Sequence, residues 1–307
     1  MSWPRAGYLA TLAFLLLSVL VVGCRRTDST SRSSLAASGI NDAARDGTPC
    51  GELDCLEYDS AATAFVDTLA GSPLIVAVGE VHAPKGATAS SAARRFTETL
   101  LPLLAGRASD LLVELMKPPA GCIDASAEVR SQQHIVTSQQ GETDQSEYVA
   151  MGERARALGI VPDMLRPACA DIEAMRDKDG DAIGAALETI ARLTEAQAKR
   201  LVLRDARSDA DRGKSVVIYG GALHNDLTPG PEAARWSYAP ELDSFVHGRF
   251  VAIDLVVPEF IGSDAIWRAQ PWWSAYDPER LGEKTTRFRT GDRSFVVVFA
   301  RSAAPRP

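Results

Sequence analysis

The feature that most limits how this chain can fold is a pattern that occurs twice. Leu74 to His82 reads Leu-Ile-Val-Ala-Val-Gly-Glu-Val-His, and Val216 to His224 reads Val-Val-Ile-Tyr-Gly-Gly-Ala-Leu-His. Each is a short, unbroken apolar run, the mark of a strand covered on both faces, and each breaks off at Gly-x-x-His. Strands of that kind belong to parallel sheets flanked by helices. In open α/β sheets ligands bind beyond the carboxyl ends of the strands. Two of the chain's four histidines therefore stand where a site is expected.

The remaining segments agree with that sheet. Helices are expected over 62–69, 90–104 and 181–208, where apolar residues recur at helical spacing between capping and stop signals. Further strands are expected at Leu111–Met116, Ile160–Leu165, Phe250–Val257 and Ser294–Ala300. The alternation predicts an α/β fold, a central largely parallel sheet flanked by helices. Residues 122–157 read as a polar helical insertion. The aromatic segment holding Phe260, Trp267, Trp272, Trp273 and Tyr276 reads as core or a packed loop, with a wall facing substrate as the alternative.

The N-terminus reads as a separate unit. Arg5 precedes an apolar segment from Tyr8 to Val22, followed by Val21-Val22-Gly23-Cys24. This resembles a bacterial lipobox, which implies a lipoprotein signal peptide over 1–23, cleavage before Cys24 and lipid on that cysteine. A plain signal peptide or an N-terminal membrane helix is the alternative. Residues 24–48 are a polar tether, and 49–307 form a single α/β domain. Arg25 follows the lipidated position rather than the aspartate of inner-membrane retention. The expected place is the cell envelope, lipid-anchored to the outer membrane and facing the periplasm.

Export makes sense of the cysteines. With Cys24 lipidated, an even set of four remains, and Cys50–Cys55 with Cys122–Cys169 is the favoured pairing of three. The formal net charge is −7 and the basic residues are scattered, which argues against a nucleic-acid partner.

Glu80 and His82 alternate at the end of the Leu74–His82 run, so both can face one crevice. Glu114 is an acid inside the apolar run Leu111–Met116, either on an edge strand facing water or as a buried functional carboxylate. Two imidazoles and two carboxylates, His82, His224, Glu80 and Glu114, make a plausible site for a divalent ion such as zinc, manganese or cobalt. Glu80 and His82 would be the catalytic pair, activating metal-bound water. Asp171, after another strand end, is a candidate further ligand or an orienter of the others. Asp177–Asp181 with Glu188 half-matches a calcium loop but has Ala182 where glycine is required. His134 and His247 read as surface residues. The chain has no Gly-x-Ser-x-Gly, His-Glu-x-x-His, phosphate loop or Gly-x-Gly-x-x-Gly, so those enzyme classes have no support.

The order Gly79-Glu80-Val81-His82, then Glu114, then Gly221-Ala222-Leu223-His224 resembles the TIKI/TraB superfamily, over about Ser72 to Asp226. That group also includes ChaN-like haem-binding lipoproteins and the erythromycin esterases. The Gly-Glu-x-His form and the lipobox look most like the ChaN-like branch. The resemblance implies an α/β fold with a strand-end His and Glu site. It implies either a divalent-metal-dependent hydrolase cleaving a peptide or ester bond in a small-molecule or peptide substrate, or a non-catalytic haem- or iron-binding lipoprotein. After His82 the chain reads Ala83-Pro84-Lys85, where ChaN-like sequences carry an acidic, histidine-containing segment. The hydrolase is therefore the first expectation and haem the alternative.

Overall fold

Nine strands form one sheet in this computed structural model, which describes residues 47–117, 119, 122, 144–175, 182–261 and 265–302. The lipobox at Cys24, most of the tether, His134, the calcium-like loop and the larger part of the polar insertion lie outside the described residues. In chain order the strands are β1 (Thr48–Gly51), β2 (Cys55–Tyr58), β3 (Ile75–Glu80), β4 (Ala108–Met116) and β5 (Val161–Leu165). They continue with β6 (Ser215–Gly221), β7 (Phe250–Val256), β8 (Thr285–Gly291) and β9 (Ser294–Val298). The spatial order is β1-β2-β8-β9-β7-β3-β6-β4-β5. From β9 to β5 all neighbours run parallel, and β1, β2 and β8 form an antiparallel margin. The α/β expectation holds.

Both faces of the central strands are covered, which is why they read as unbroken apolar runs. Val76 and Val78 of β3, Val217 and Tyr219 of β6 and Ile253 of β7 pack in one core, with Phe65 and Phe96 from the helices on that side. Their neighbours in sequence, Ile75, Ala77, Val216, Ile218 and Ala252, face a second core, with Leu193 and Leu201 of the Ala182–Asp205 helix and Leu242. The expected 90–104 helix begins at Ala92, capped by the Ser91 hydroxyl, and loosens to a π turn over Phe96–Leu100. It ends as a 3-10 turn, Leu101–Leu104, around Pro102, which lacks the N–H an α-helix would need there.

Two disulfides are formed, Cys50–Cys55 and Cys122–Cys169, the pairing favoured from the sequence. The first closes the hairpin between β1 and β2, where Gly51, Leu53 and Asp54 take positive φ. The aromatic segment is largely core: Trp272 and Tyr276 pack with Phe288 of β8 and with the Cys50–Cys55 bridge. The described part of the polar insertion contains the helix Asp144–Ala157, which turns Tyr148, Met151 and Ala155 to the first core.

What positions the site is the order of the inner strands. β3 and β4 are consecutive in sequence, yet β6 lies between them, and β7 then pairs on the far side of β3. The chain thus reverses its direction of sheet growth at β3, and crevices form at the carboxyl ends where that happens. β3 is fully paired on both sides, with Gly79 beside Gly220 and Asp254 and Glu80 beside Gly221 and Leu255.

Candidate active site

Glu80 ends β3 with its side chain only 2% exposed. A carboxylate that deep must be satisfied by donors or it costs several kcal/mol. Three arrive. Tyr148 donates its hydroxyl to Oε1 at 2.7 Å, Tyr219 donates to Oε2 at 2.6 Å, and Nδ1 of His82 lies 2.8 Å from Oε1. Burial, then the nearby Glu80, holds the Tyr148 phenol well above its usual range, so it stays a donor. A group receiving three donors is an acceptor, so His82 carries its proton on Nδ1 and uses Nε2 as the other nitrogen.

His82 is the most open of the four, 25% exposed. Its Nε2 lies 3.4 Å from where a β-carbon on Gly221 would stand. The same point is 3.8 Å from Oε2 of Glu114 and 3.9 Å from Cδ2 of His224. Two imidazoles that are 142 positions apart in sequence (224 − 82) therefore share one hollow with a carboxylate, and its floor is the missing side chain of Gly221.

His224 sits in a 3-10 turn, Ala222–His224, directly after β6. Its Nδ1 is 2.7 Å from the carbonyl oxygen of Trp236, which can only accept. That fixes the proton on Nδ1 and sets Nε2 3.8 Å from Oε1 of Glu114. Glu114 belongs to an inner strand, since β4 lies between β6 and β5, so the water-facing edge position is ruled out. Its Oε2 accepts the Gly221 N–H at 2.7 Å. Glycine at 220 is a steric requirement: a β-carbon there would stand 2.1 Å from that same oxygen.

The structure thus brings Glu80, His82, Glu114 and His224 to one place but does not set them as four ligands. Both oxygens of Glu80 are taken by tyrosines and His82, and Glu114 is committed in part to a backbone N–H. Among the described residues no group of three or more His, Cys, Asp or Glu side chains is arranged to hold a metal ion. As they stand, the four side chains form a hydrogen-bonded arrangement of acids and imidazoles. Asp171 spends its carboxylate elsewhere, accepting the Ala168 N–H at 2.6 Å and pairing with Arg192. His247 lies in an exposed turn with φ 53°.

Several neighbours of these four residues went unread in the sequence. Asp254, in the apolar run of β7, is the same oddity as Glu114 and could have been found by the same rule. It accepts from the buried Asn225 side chain at 3.0 Å, and burial pushes its carboxyl up to about 7. It is half-buried, and a cavity reaches it. Tyr219 stands in a strand already singled out, but nothing marked its hydroxyl. Tyr148 lies on a polar helix with no signal at all.

No family model matches the chain, and no curated protein matches it. Among solved structures, the type III effector HopBA1 is 15% identical, spanning 86% of this chain and 100% of its own, with a TM-score of 0.41. A succinoglycan biosynthesis protein is 10% identical, over 62% and 68% of the two chains, with a TM-score of 0.32. A Bacillus cereus protein is 8% identical, over 76% and 90%, with a TM-score of 0.34. Likenesses this distant do not carry a function to this chain.

Proposed function

We propose that the protein is a hydrolase of ester or peptide bonds whose base is His82, held by Glu80 and working without a resident metal. The observation that carries this reading is the Glu80–His82 contact: a buried, three-donor carboxylate fixes the imidazole so that its outer nitrogen points to the shared hollow. A carboxylate behind an imidazole sets the tautomer and stabilises the imidazolium that forms on proton transfer. Nε2 of His82 takes a proton from water in the hollow as the water oxygen bonds to the substrate carbonyl carbon. The C–O or C–N bond then breaks, and the leaving group takes that proton back from His82. His224, with Glu114 beside it, borders the same reacting centre, its ring held in place by the Trp236 carbonyl. Resemblance to the TIKI/TraB superfamily, whose members include esterases and proteases, supports the reaction class.

We place the protein in the cell envelope, tethered through lipid on Cys24. The lipobox supports this, as do the two disulfides, which persist in oxidising compartments.

Hydrolysis of chromogenic esters and of a peptide library by the full chain tests the reading. His82→Ala should cut kcat/KM about 100-fold or more, while treatment with a chelator should leave it unchanged. Loss on chelation with recovery on adding zinc or manganese would restore the metal-dependent form instead. Haem titration should give no Soret band; a band sensitive to both histidines would favour the haem-binding alternative.

A further inference from the structure

The 3-10 turn Ala222–His224 has two flanks. On one, His224 faces Glu114. On the other, Asn225 meets Asp254, and a cavity of about 420 Å³ opens between the 225–233 loop, β7, β9 and the segment 267–272. Asn225 is 1% exposed and aims its side chain into that cavity, giving Nδ2–H to Oδ1 of Asp254. This leaves Oδ1 of Asn225 and Oδ2 of Asp254 without a hydrogen-bond partner among the described residues. Both are acceptors, and both belong to residues lining the cavity. A second carboxylate, Asp226, stands at the rim, Trp267 forms part of the wall, and no lysine, arginine or histidine lines the cavity among the described residues.

What such a place lacks is a donor carrying positive charge. A half-buried carboxyl with no cation beside it is costly, and desolvation raises the Asp254 carboxyl accordingly. An anion would meet two carboxylates, and a purely apolar group would leave the acceptors unmade. An ammonium supplies N–H donors to both oxygens and neutralises the carboxylate, and its carbon chain can rest on the Trp267 ring.

We propose that this cavity is a binding subsite for a primary ammonium group carried on a small organic molecule. It lies on the opposite flank of the turn from Glu114 and does not require that the hollow at His82 hydrolyse anything.

Calorimetry and tryptophan fluorescence on the full chain, with n-butylammonium and its neutral counterpart 1-butanol, test this. Butylammonium should bind at least tenfold tighter than butanol. Asp254→Asn should erase that preference, and His82→Ala should keep it. Should Asp254→Asn fail to fold, Thr228→Lys on the exposed rim sets a fixed cation at the mouth and should weaken butylammonium alone. Equal binding of alcohol and amine, a preference that survives both substitutions, or uptake of a neutral methyl pyranoside with no uptake of the amine would overturn the proposal.

Discussion

At the scale of single residues, the centre depends on two hydroxyls that stand behind Glu80. Tyr219 and Tyr148 keep Glu80 satisfied in a place where it is 2% exposed. Hydrogen bonds to a charged group contribute about 1.5–3 kcal/mol each. Tyr219→Phe should lower urea-unfolding stability by that amount and weaken hydrolysis, because Glu80 is freed to turn away from His82. No change in either would show that Glu80 does not depend on it. Asp254 gives a pH signature. Its folded pKa stands near 7, against about 3.9 in an unfolded chain, so the native state binds the proton more tightly. Its contribution is complete below pH about 4, declines as pH rises to about 7, and the loss, at most about 4 kcal/mol, is constant above. Asp254→Asn should flatten that decline, bringing the urea midpoints at pH 5 and pH 8 closer together than in the parent. An unchanged slope would mean the carboxyl titrates normally.

At the scale of elements, β6 gives two neighbouring glycines opposite tasks. Gly220 makes room for Glu114, so Gly220→Ala drives a β-carbon into a carboxylate and should cost about 1–3 kcal/mol along with the site. Gly221 has φ −68°, a conformation any residue adopts, and its nearest would-be neighbours stand at 3.4–3.9 Å. Gly221→Ala should therefore fold with little change in Tm yet fill the hollow and cut kcat/KM at least tenfold. Equal activity would show that the hollow is not where chemistry happens. The inner strands were legible because a buried strand must be apolar throughout, which made Glu80 and Glu114 stand out. β1, β2 and β8 were not. Thr48–Gly51 is four residues long, and β8 interrupts its run with Arg287 and Arg289. Arg287 is buried through pairing with Asp67, a tertiary contact that no local pattern announces. Tyr148 was hidden for the same reason, since its bond to Glu80 comes from the strand end it packs against.

At the scale of the whole molecule, the two disulfides brace unequal lengths of chain. Cys122–Cys169 spans 47 positions and Cys50–Cys55 spans 5. Loop-closure entropy puts their contributions at about 4 and about 2 kcal/mol. Paired serine substitutions read by urea unfolding should rank them in that order, and the reverse order would reject the loop-entropy account. The placement of β6 between β3 and β4 has a consequence for how the centre comes into being. A chain emerging from synthesis holds Glu80, His82 and Glu114 long before His224 exists, and its first strands wait with an unfilled slot between them. Any product truncated ahead of residue 215 lacks both His224 and the Tyr219 hydroxyl on Glu80, whatever else it manages to fold, and the four side chains meet only once β6 is inserted between its neighbours.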